Sequence, residues 1–368
     1  MNIPGFRGKR VVLTGHTGFK GAWLAHWLCE LGADVRGFAL APPTQPALFD
    51  QLGLAQRLTD ERNDIRDAAA VARAVADAQP DFVFHLAAQS LVRQSYAEPV
   101  ATYDVNVMGT IHVLQALRSL TKPCAAVFVT TDKCYENREW LHGYREEDPL
   151  GGHDPYSSSK AAAEIAIASF RRSFFNAHPV KIASARAGNV IGGGDWAPDR
   201  IVPDCIRALQ RDASIPVRNR LATRPWQHVL EPLSGYLWLA ACLADPQLAR
   251  APSAPLASAF NFGPSHESNR TVVELVAEVL KHWSGRWEDQ SDPHAVHEAH
   301  LLQLATDKAN ALLGWAPVWT FPKAIEHTVQ WYRESASQPA AIPALTTRQI
   351  KLYAADAAQS GLPWAVPA

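Results

Sequence analysis

Tyr156 and Lys160 stand four residues apart in the segment Tyr156-Ser-Ser-Ser-Lys160. At the start of a helix that spacing puts a phenol and an ammonium on one face, about one turn apart. A tyrosine with an ordinary pKa near ~10 is a poor base at neutral pH. A neighbouring cation favours the phenolate and brings it into range for taking a proton from a hydroxyl. Such a pair is common by chance on helix surfaces, so its meaning depends on its company. Thr131 supplies that company. It ends the apolar run Val127, Phe128, Val129, at the carboxyl end of a strand, where open α/β sheets collect their ligands. Its hydroxyl there can hydrogen-bond a substrate oxygen alongside Tyr156.

A second cluster is Gly15-His-Thr17-Gly18-Phe19-Lys20-Gly21, where a first strand turns into a first helix. Glycines in that turn let the backbone approach a pyrophosphate, and the helix N-terminus offers unsatisfied N–H groups to it. Three glycines alone are weak evidence, but the strand before and the helix after favour a dinucleotide. One usual feature is missing. Phe38, Ala39 and Leu40 follow the second strand, where a ribose-binding Asp or Glu would stand. No arginine takes that place either, so the position does not separate NAD from NADP, and it predicts looser cofactor binding. Asp64 and Ile65, ending the third strand pattern, are candidates to hold the adenine.

These residues need a scaffold that brings strand ends together. Apolar strand patterns at 11–13, 33–40, 81–86, 125–130 and 180–187 alternate with helical patterns at 22–31, 67–78, 100–120 and 156–176. Near-continuous apolar strands between helices imply a parallel sheet covered on both faces, hence an α/β, Rossmann-type doubly wound fold. The rhythm breaks after residue 187. We read 1–187 as the nucleotide-binding domain, with a return strand near 258–263, and 188–357 as a smaller interleaved substrate-binding part. Residues 358–368 form a tail, and the Ala/Pro-rich stretch 335–343 reads as a surface connection.

With 368 residues, 47% apolar and 19% charged, and a net charge of -1, the chain suits a soluble enzyme and not a polyanion binder. Nucleic acid is not an expected partner. The five cysteines form no CxxC pair and read as reduced, largely buried thiols. The N-terminus lacks a signal-peptide pattern, and the longest apolar stretch, 235–244, is about half a membrane span, so a cytoplasmic location follows. No HExxH motif occurs. His294, His297 and His300 recur every third residue in a polar stretch and read as a solvated face, so no metal is expected.

Together these motifs resemble the extended short-chain dehydrogenases that modify nucleotide sugars, specifically the sugar-nucleotide 4,6-dehydratases. Within them, GHTGFKG, TTDKCYEN, RAGNVIGGGDWA and RPWQHVLEPLSGY are similar to the CDP-glucose branch. The match runs from the glycine loop to about Ala355. The resemblance implies a lyase that keeps NAD as a catalytic cofactor and serves deoxysugar and O-antigen biosynthesis. Tyr156 would take the 4-hydroxyl proton while hydride passes from carbon 4 to NAD. The ketone then acidifies carbon 5, water leaves across carbons 5 and 6, and the hydride returns to carbon 6.

The resemblance also places further residues. Asp132 matches the acid that protonates the departing 6-hydroxyl, and Lys133 replaces the glutamate assigned as carbon-5 base in dTDP-glucose enzymes. A lysine acts as base only when neutral, which burial or a nearby cation must bring about. The alternative is a charged Lys133 that stabilises the enolate. Leu86-Ala87-Ala88-Gln89-Ser90 follows the pattern near cofactor ribose and substrate sugar. Asn106 fits the helix asparagine that supports the active-site lysine, with a capping or core role equally open. The arginine fork suits a pyrophosphate, which nominates Arg200 and Arg224, whereas Arg220 reads as a surface charge. Asn189 resembles the family's diphosphate contact, and Asn261 joins the substrate-binding set. Trp196 and Trp226 could stack on a base, although tryptophans mostly fill cores. The family's equivalents of helices 100–120 and 156–176 pair into a four-helix core, which implies a homodimer or a dimer of dimers. Rival readings are a 4-epimerase, a dehydratase for another nucleotide sugar, and a non-catalytic NAD sensor. Asp132–Lys133 favours dehydration, and the retained Tyr156 and Lys160 speak against a sensor.

Overall fold

The structure, a computed structural model, describes residues 3–291 and 301–366. Seven strands form one sheet: β1 (Arg10–Thr14), β2 (Asp34–Ala39), β3 (Thr59–Arg62), β4 (Phe82–His85), β5 (Cys124–Val129), β6 (Val180–Ala187) and β7 (Ala259–Phe262). Their order is β7-β6-β5-β4-β1-β2-β3, and every pairing is parallel. The central strands β4 and β5 are buried at every position, whereas the edge strand β3 is not. Helices on both faces exclude water from the centre, which is why Val127–Phe128–Val129 is apolar without alternation.

Helix α1 (Phe19–Glu30) leaves β1, and α2 (Ala68–Ala78) leads to β4. The run from Pro99–Tyr103 through a π-helical turn at Asp104–Met108 to Gly109–Leu117 forms a continuous α3 ending three residues before the expected 120. Helix α4 (Pro155–Phe174) starts where Asp154 accepts from Ser157 N at 2.9 Å, with Pro155 in its first turn. That N-cap and the fixed φ of proline set the helix start and hence the place of Tyr156. Because the strand order reverses between β1 and β4, a crevice opens at their carboxyl ends, where the glycine loop meets residues 86–88.

One expectation needs correction. The stretch 335–343 is not a loop: α5 (Phe321–Ser337) runs into it, and a short 3-10 turn at Pro339–Ala341 passes straight into α6 (Ile342–Gln359). Prolines at helix starts are compatible with helix, and here they begin elements instead of ending them. Helix α6 packs on α1: His26 Nε2 meets Thr347 Oγ1 at 2.8 Å, and Trp27 meets Trp364 and Tyr353 edge-on. His294, His297 and His300 lie outside the described residues. Among the described residues no helix is long and apolar enough to cross a membrane.

Candidate active site

Gly15 has φ +77°, and a Cβ on it would sit 2.7 Å from Ala87 N; one on Gly21 would meet Gly15 O at 2.0 Å. Side chains at either position would push residues 86–88 or α1 away from the turn. Thr14 Oγ1 locks the same corner by accepting from Leu86 N at 3.1 Å and Ala87 N at 3.2 Å. Gly18 is the N-cap of α1, which has no side-chain cap and no acid in its first turn. A Cβ at Gly18 would meet nothing closer than Gly15 O at 3.5 Å, so the cradle above the helix N-terminus is open. Uncapped donors, a positive helix end and open space suit a dinucleotide's pyrophosphate. Thr17 donates to Leu40 O at 3.0 Å and Phe19 packs on the core.

The ribose corner holds residues that the sequence reading missed. His16, buried over Gly37, meets Asp60 Oδ1 at 2.8 Å, and Arg62 donates to Asp60 and to Leu40 O. The acid absent from β2 thus stands on β3, its oxygens already engaged. Asp64 accepts three side-chain bonds and one backbone bond from Arg66, and the Ile65 side chain is buried against Gly109.

Thr131, Asp132, Tyr156 and Lys160 come together at the end of β5, all buried. Lys160 Nζ donates to Val129 O at 3.4 Å, Thr131 Oγ1 donates to Asp132 Oδ1 at 3.0 Å, and Lys133 N donates to Thr131 Oγ1 at 3.3 Å. Burial pushes the Tyr156 phenol up to about 12, against the pull of Thr131 and Arg200. Burial also brings the Lys160 ammonium down to about 8, with Glu164 opposing. Asp132 is held above the usual carboxylate range by burial, although Lys133, Thr131 and Arg224 work the other way. Its Oδ2 is buried without a hydrogen-bond partner among the described residues. Such an atom costs about 1–3 kcal/mol unless something later uses it. Lys20 reaches the same space from α1. Burial, then the cations Arg200 and Lys160, lower it to about 7. Its ammonium lies 5.8 Å from the ring centroid of Tyr236, a buried residue whose hydroxyl has no partner among the described residues. Tyr236 sits inside an apolar helical run, Leu230–Ala244, and nothing in the sequence marks it.

Several nominated substrate contacts are committed elsewhere. Asn261 is a correction: its Oδ1 accepts from Tyr135 OH at 2.7 Å and its Nδ2 donates to Tyr144 O and Ala305 O, so it is a core fastener. Gln89 uses its amide on Leu91 and Thr102, leaving exposed Ser90 beyond it. Asn106 bonds Gln89 N and O and Ser159 Oγ and makes no bond to Lys160; Ser159 in turn donates to Tyr156 O. The core reading of Asn106 therefore fits. Arg200 pairs with Asp195 at 3.0 Å, Arg224 Nη1 donates to Thr223 O at 2.8 Å, and Arg220 is an exposed side chain near Asp289. Half-buried Asn189 follows Gly188, on which Asp132 closes. The indoles of Trp196 and Trp226 donate to Gln51 and Arg270 O, as fold contacts.

Residues 12–328 match the family model described as GDP-mannose 4,6 dehydratase. The chain is 46% identical over 335 residues to CDP-glucose 4,6-dehydratase of Salmonella typhimurium, covering 89% of this chain and 91% of that one. It is 31% identical over 340 residues to dTDP-glucose 4,6-dehydratase of Streptomyces antibioticus, covering 88% and 92%. Among solved structures, dTDP-glucose 4,6-dehydratase from Streptomyces venezuelae with NAD bound aligns with a TM-score of 0.75 at 23% identity, covering 90% of this chain and 99% of that one. With a catalytic-type cluster at the carboxyl edge of a doubly wound sheet and these relatives across most of its length, the chain belongs to the GDP-mannose 4,6-dehydratase family.

Proposed function

We propose that this chain is an NAD-dependent lyase converting CDP-D-glucose to CDP-4-dehydro-6-deoxy-D-glucose and water. One observation carries the choice of dehydration over epimerisation: Asp132 is 2% exposed, beside Thr131 and Tyr156, with Oδ2 unpartnered among the described residues. Epimerisation needs no acid there. The 46% identity over 335 residues to a CDP-glucose enzyme supports the cytidine assignment.

The cofactor NAD, when bound, supplies a hydride acceptor that later gives the hydride back. Gly15, Gly18 and Gly21 would hold its pyrophosphate at the head of α1. Tyr156 accepts the proton of the sugar 4-hydroxyl, with Thr131 steering that oxygen. Arg200 favours the phenolate against the cost of burial, and we assign Lys160, one turn along α4, to the same task. Asp132, whose protonated form burial favours, is the group we assign to donate a proton to the leaving 6-hydroxyl. We assign the carbon-5 proton to Lys133, the other member of the pair. Arg200 and Arg224 are the guanidinium groups we assign to the diphosphate, which would draw them from Asp195 and Thr223 O, with Asn189 as a further contact.

The reading extends to a cytoplasmic homodimer. Five free cysteines, four of them buried, support a reducing compartment. Val100 on α3 is 82% exposed and Ile165 on α4 is 59% exposed, on neighbouring helices. Large apolar side chains so placed suit a second copy. The test is to give the protein CDP-glucose and NAD in heavy water. A CDP-linked 4-keto-6-deoxy sugar deuterated at carbon 5 is expected; CDP-glucose untouched beside turnover of dTDP-glucose or GDP-mannose would overturn the cytidine assignment.

A further inference from the structure

Glu164 follows Lys160 by one helical turn and Tyr156 by two, so the three share a face of α4. It is 2% exposed and its oxygens are occupied. Oε1 accepts from Thr130 Oγ1 at 2.5 Å, and Oε2 accepts from Ser184 Oγ and Arg186 Nη2, each at 2.8 Å. Arg186, equally buried, donates through Nη1 to Tyr135 OH at 2.8 Å and Glu146 O at 3.0 Å, and Tyr135 OH donates to Asn261 on β7. Burial works against the Glu164 carboxylate, but Arg186 and the hydroxyl donors hold it below its ordinary range. Buried ion pairs seldom add net stability, because desolvation consumes the Coulombic gain. What this pair joins is informative. Thr130 immediately precedes Thr131, α4 carries Tyr156 and Lys160, and β6 carries Ser184 and Arg186.

We propose that Glu164 and Arg186 are positioning residues of the reaction, a buried pair that fixes Thr131, Tyr156 and Lys160 relative to one another from beneath the site. The inference rests on the role given to those three residues above. The pair also acts through charge. Lys160 faces His85 from β4, Lys20 from α1 and Cys134 beyond β5, and Glu164 is the anion that favours its proton most. Without Glu164 the Arg186 charge is uncompensated, and Lys160 loses its proton at lower pH.

The test compares wild-type, Glu164→Gln and Glu164→Gln/Arg186→Met enzymes with NAD and CDP-glucose. In Glu164→Gln, kcat falls about 10-fold or more with little change in KM, and the high-pH fall of kcat/KM moves acidward by about one pH unit. In the uncharged double variant that fall returns toward the wild-type pH. In the free chain, amide exchange in Glu164→Gln accelerates at residues 130–134. A Glu164→Gln enzyme with the wild-type pH profile and wild-type exchange overturns the proposal. Should Glu164→Gln fail to fold, Thr130→Val decides: faster exchange at 130–134 with an unmoved pH profile supports the clamp, and unchanged exchange refutes it. A wild-type chain that leaves CDP-glucose untouched defeats the dehydratase reading, while the exchange measurements still decide for or against the pair.

Discussion

Gly188 supports Asp132 through space alone, and replacing it with alanine tests the acid assignment. Its φ is outside the left-handed region, so alanine meets no backbone penalty there. The added Cβ would lie 2.5 Å from Asp132 Oδ2, 3.2 Å from its Cγ and 3.6 Å from Pro225 Cγ. An unstrained contact needs ~3.5 Å, so the carboxyl must retreat by about 1 Å. The retreat strains its 3.0 Å bond from Thr131. Overpacking of this kind costs about 1–3 kcal/mol of stability, which a chain of this size tolerates. For catalysis, a catalytic group displaced by ~1 Å costs about 10²-fold. The loss should fall on elimination and spare oxidation, because the atoms nearest the added Cβ belong to Asp132 and Pro225 and not to Tyr156 or Lys160. Rapid quench and mass analysis of Gly188→Ala should therefore find CDP-4-ketoglucose that still carries its 6-hydroxyl, ahead of slow product. In an Asp132→Ala background, which vacates the contested space, Gly188→Ala should cost almost nothing more, a strongly non-additive cycle. Wild-type rates in Gly188→Ala, or additive losses in the double variant, would refute the idea that Asp132 acts from beside Gly188.

Three further outcomes follow from the same structure. Lys133→Met should retain oxidation at carbon 4 but lose deuterium uptake at carbon 5; full exchange in the variant would remove the base role and leave the electrostatic one. His26 is buried between Arg57 and Thr347, and burial first, then Arg57, brings its pKa down to about 4. The unfolded chain, at the ordinary ~6.5, binds a proton that the native ring refuses, so this contribution is full above pH ~6.5 and falls away as pH drops toward 4. It amounts to roughly 3 kcal/mol, and urea unfolding of His26→Asn should show that much less acid sensitivity; an identical dependence would count against it. Val100→Glu combined with Ile165→Glu should yield monomers by light scattering, and an unchanged mass would move the dimer face elsewhere.

Much of this architecture was legible because it follows from period and position. Strand Val180–Ala187 and helix Ala68–Ala78 carry their limits in apolar runs, a capping Asp67 and a break at Gln79. The start of helix α6 was not legible: the Ala/Pro-rich stretch 335–343 suggests a surface connection, yet Ile342, Leu345, Ile350 and Tyr353 recur at helical spacing and are buried. Tertiary burial overrode local composition there. The site divided along a similar line. Tyr156 and Lys160 announce themselves because their relation is local, four residues on one helix. Gly188 under Asp132, Tyr236 beside Lys20 and Asp60 on His16 are relations between distant segments, and no local spacing encodes them. Asn261 misled for the converse reason: an amide on a core strand is compatible with a ligand contact or with a fastener, and only its three bonds to Tyr135, Tyr144 and Ala305 decide. Glu164 sits between these cases. Its spacing from Lys160 was visible, but a helical glutamate four residues after a lysine reads as a solvated surface pair until burial and Arg186 give it another meaning.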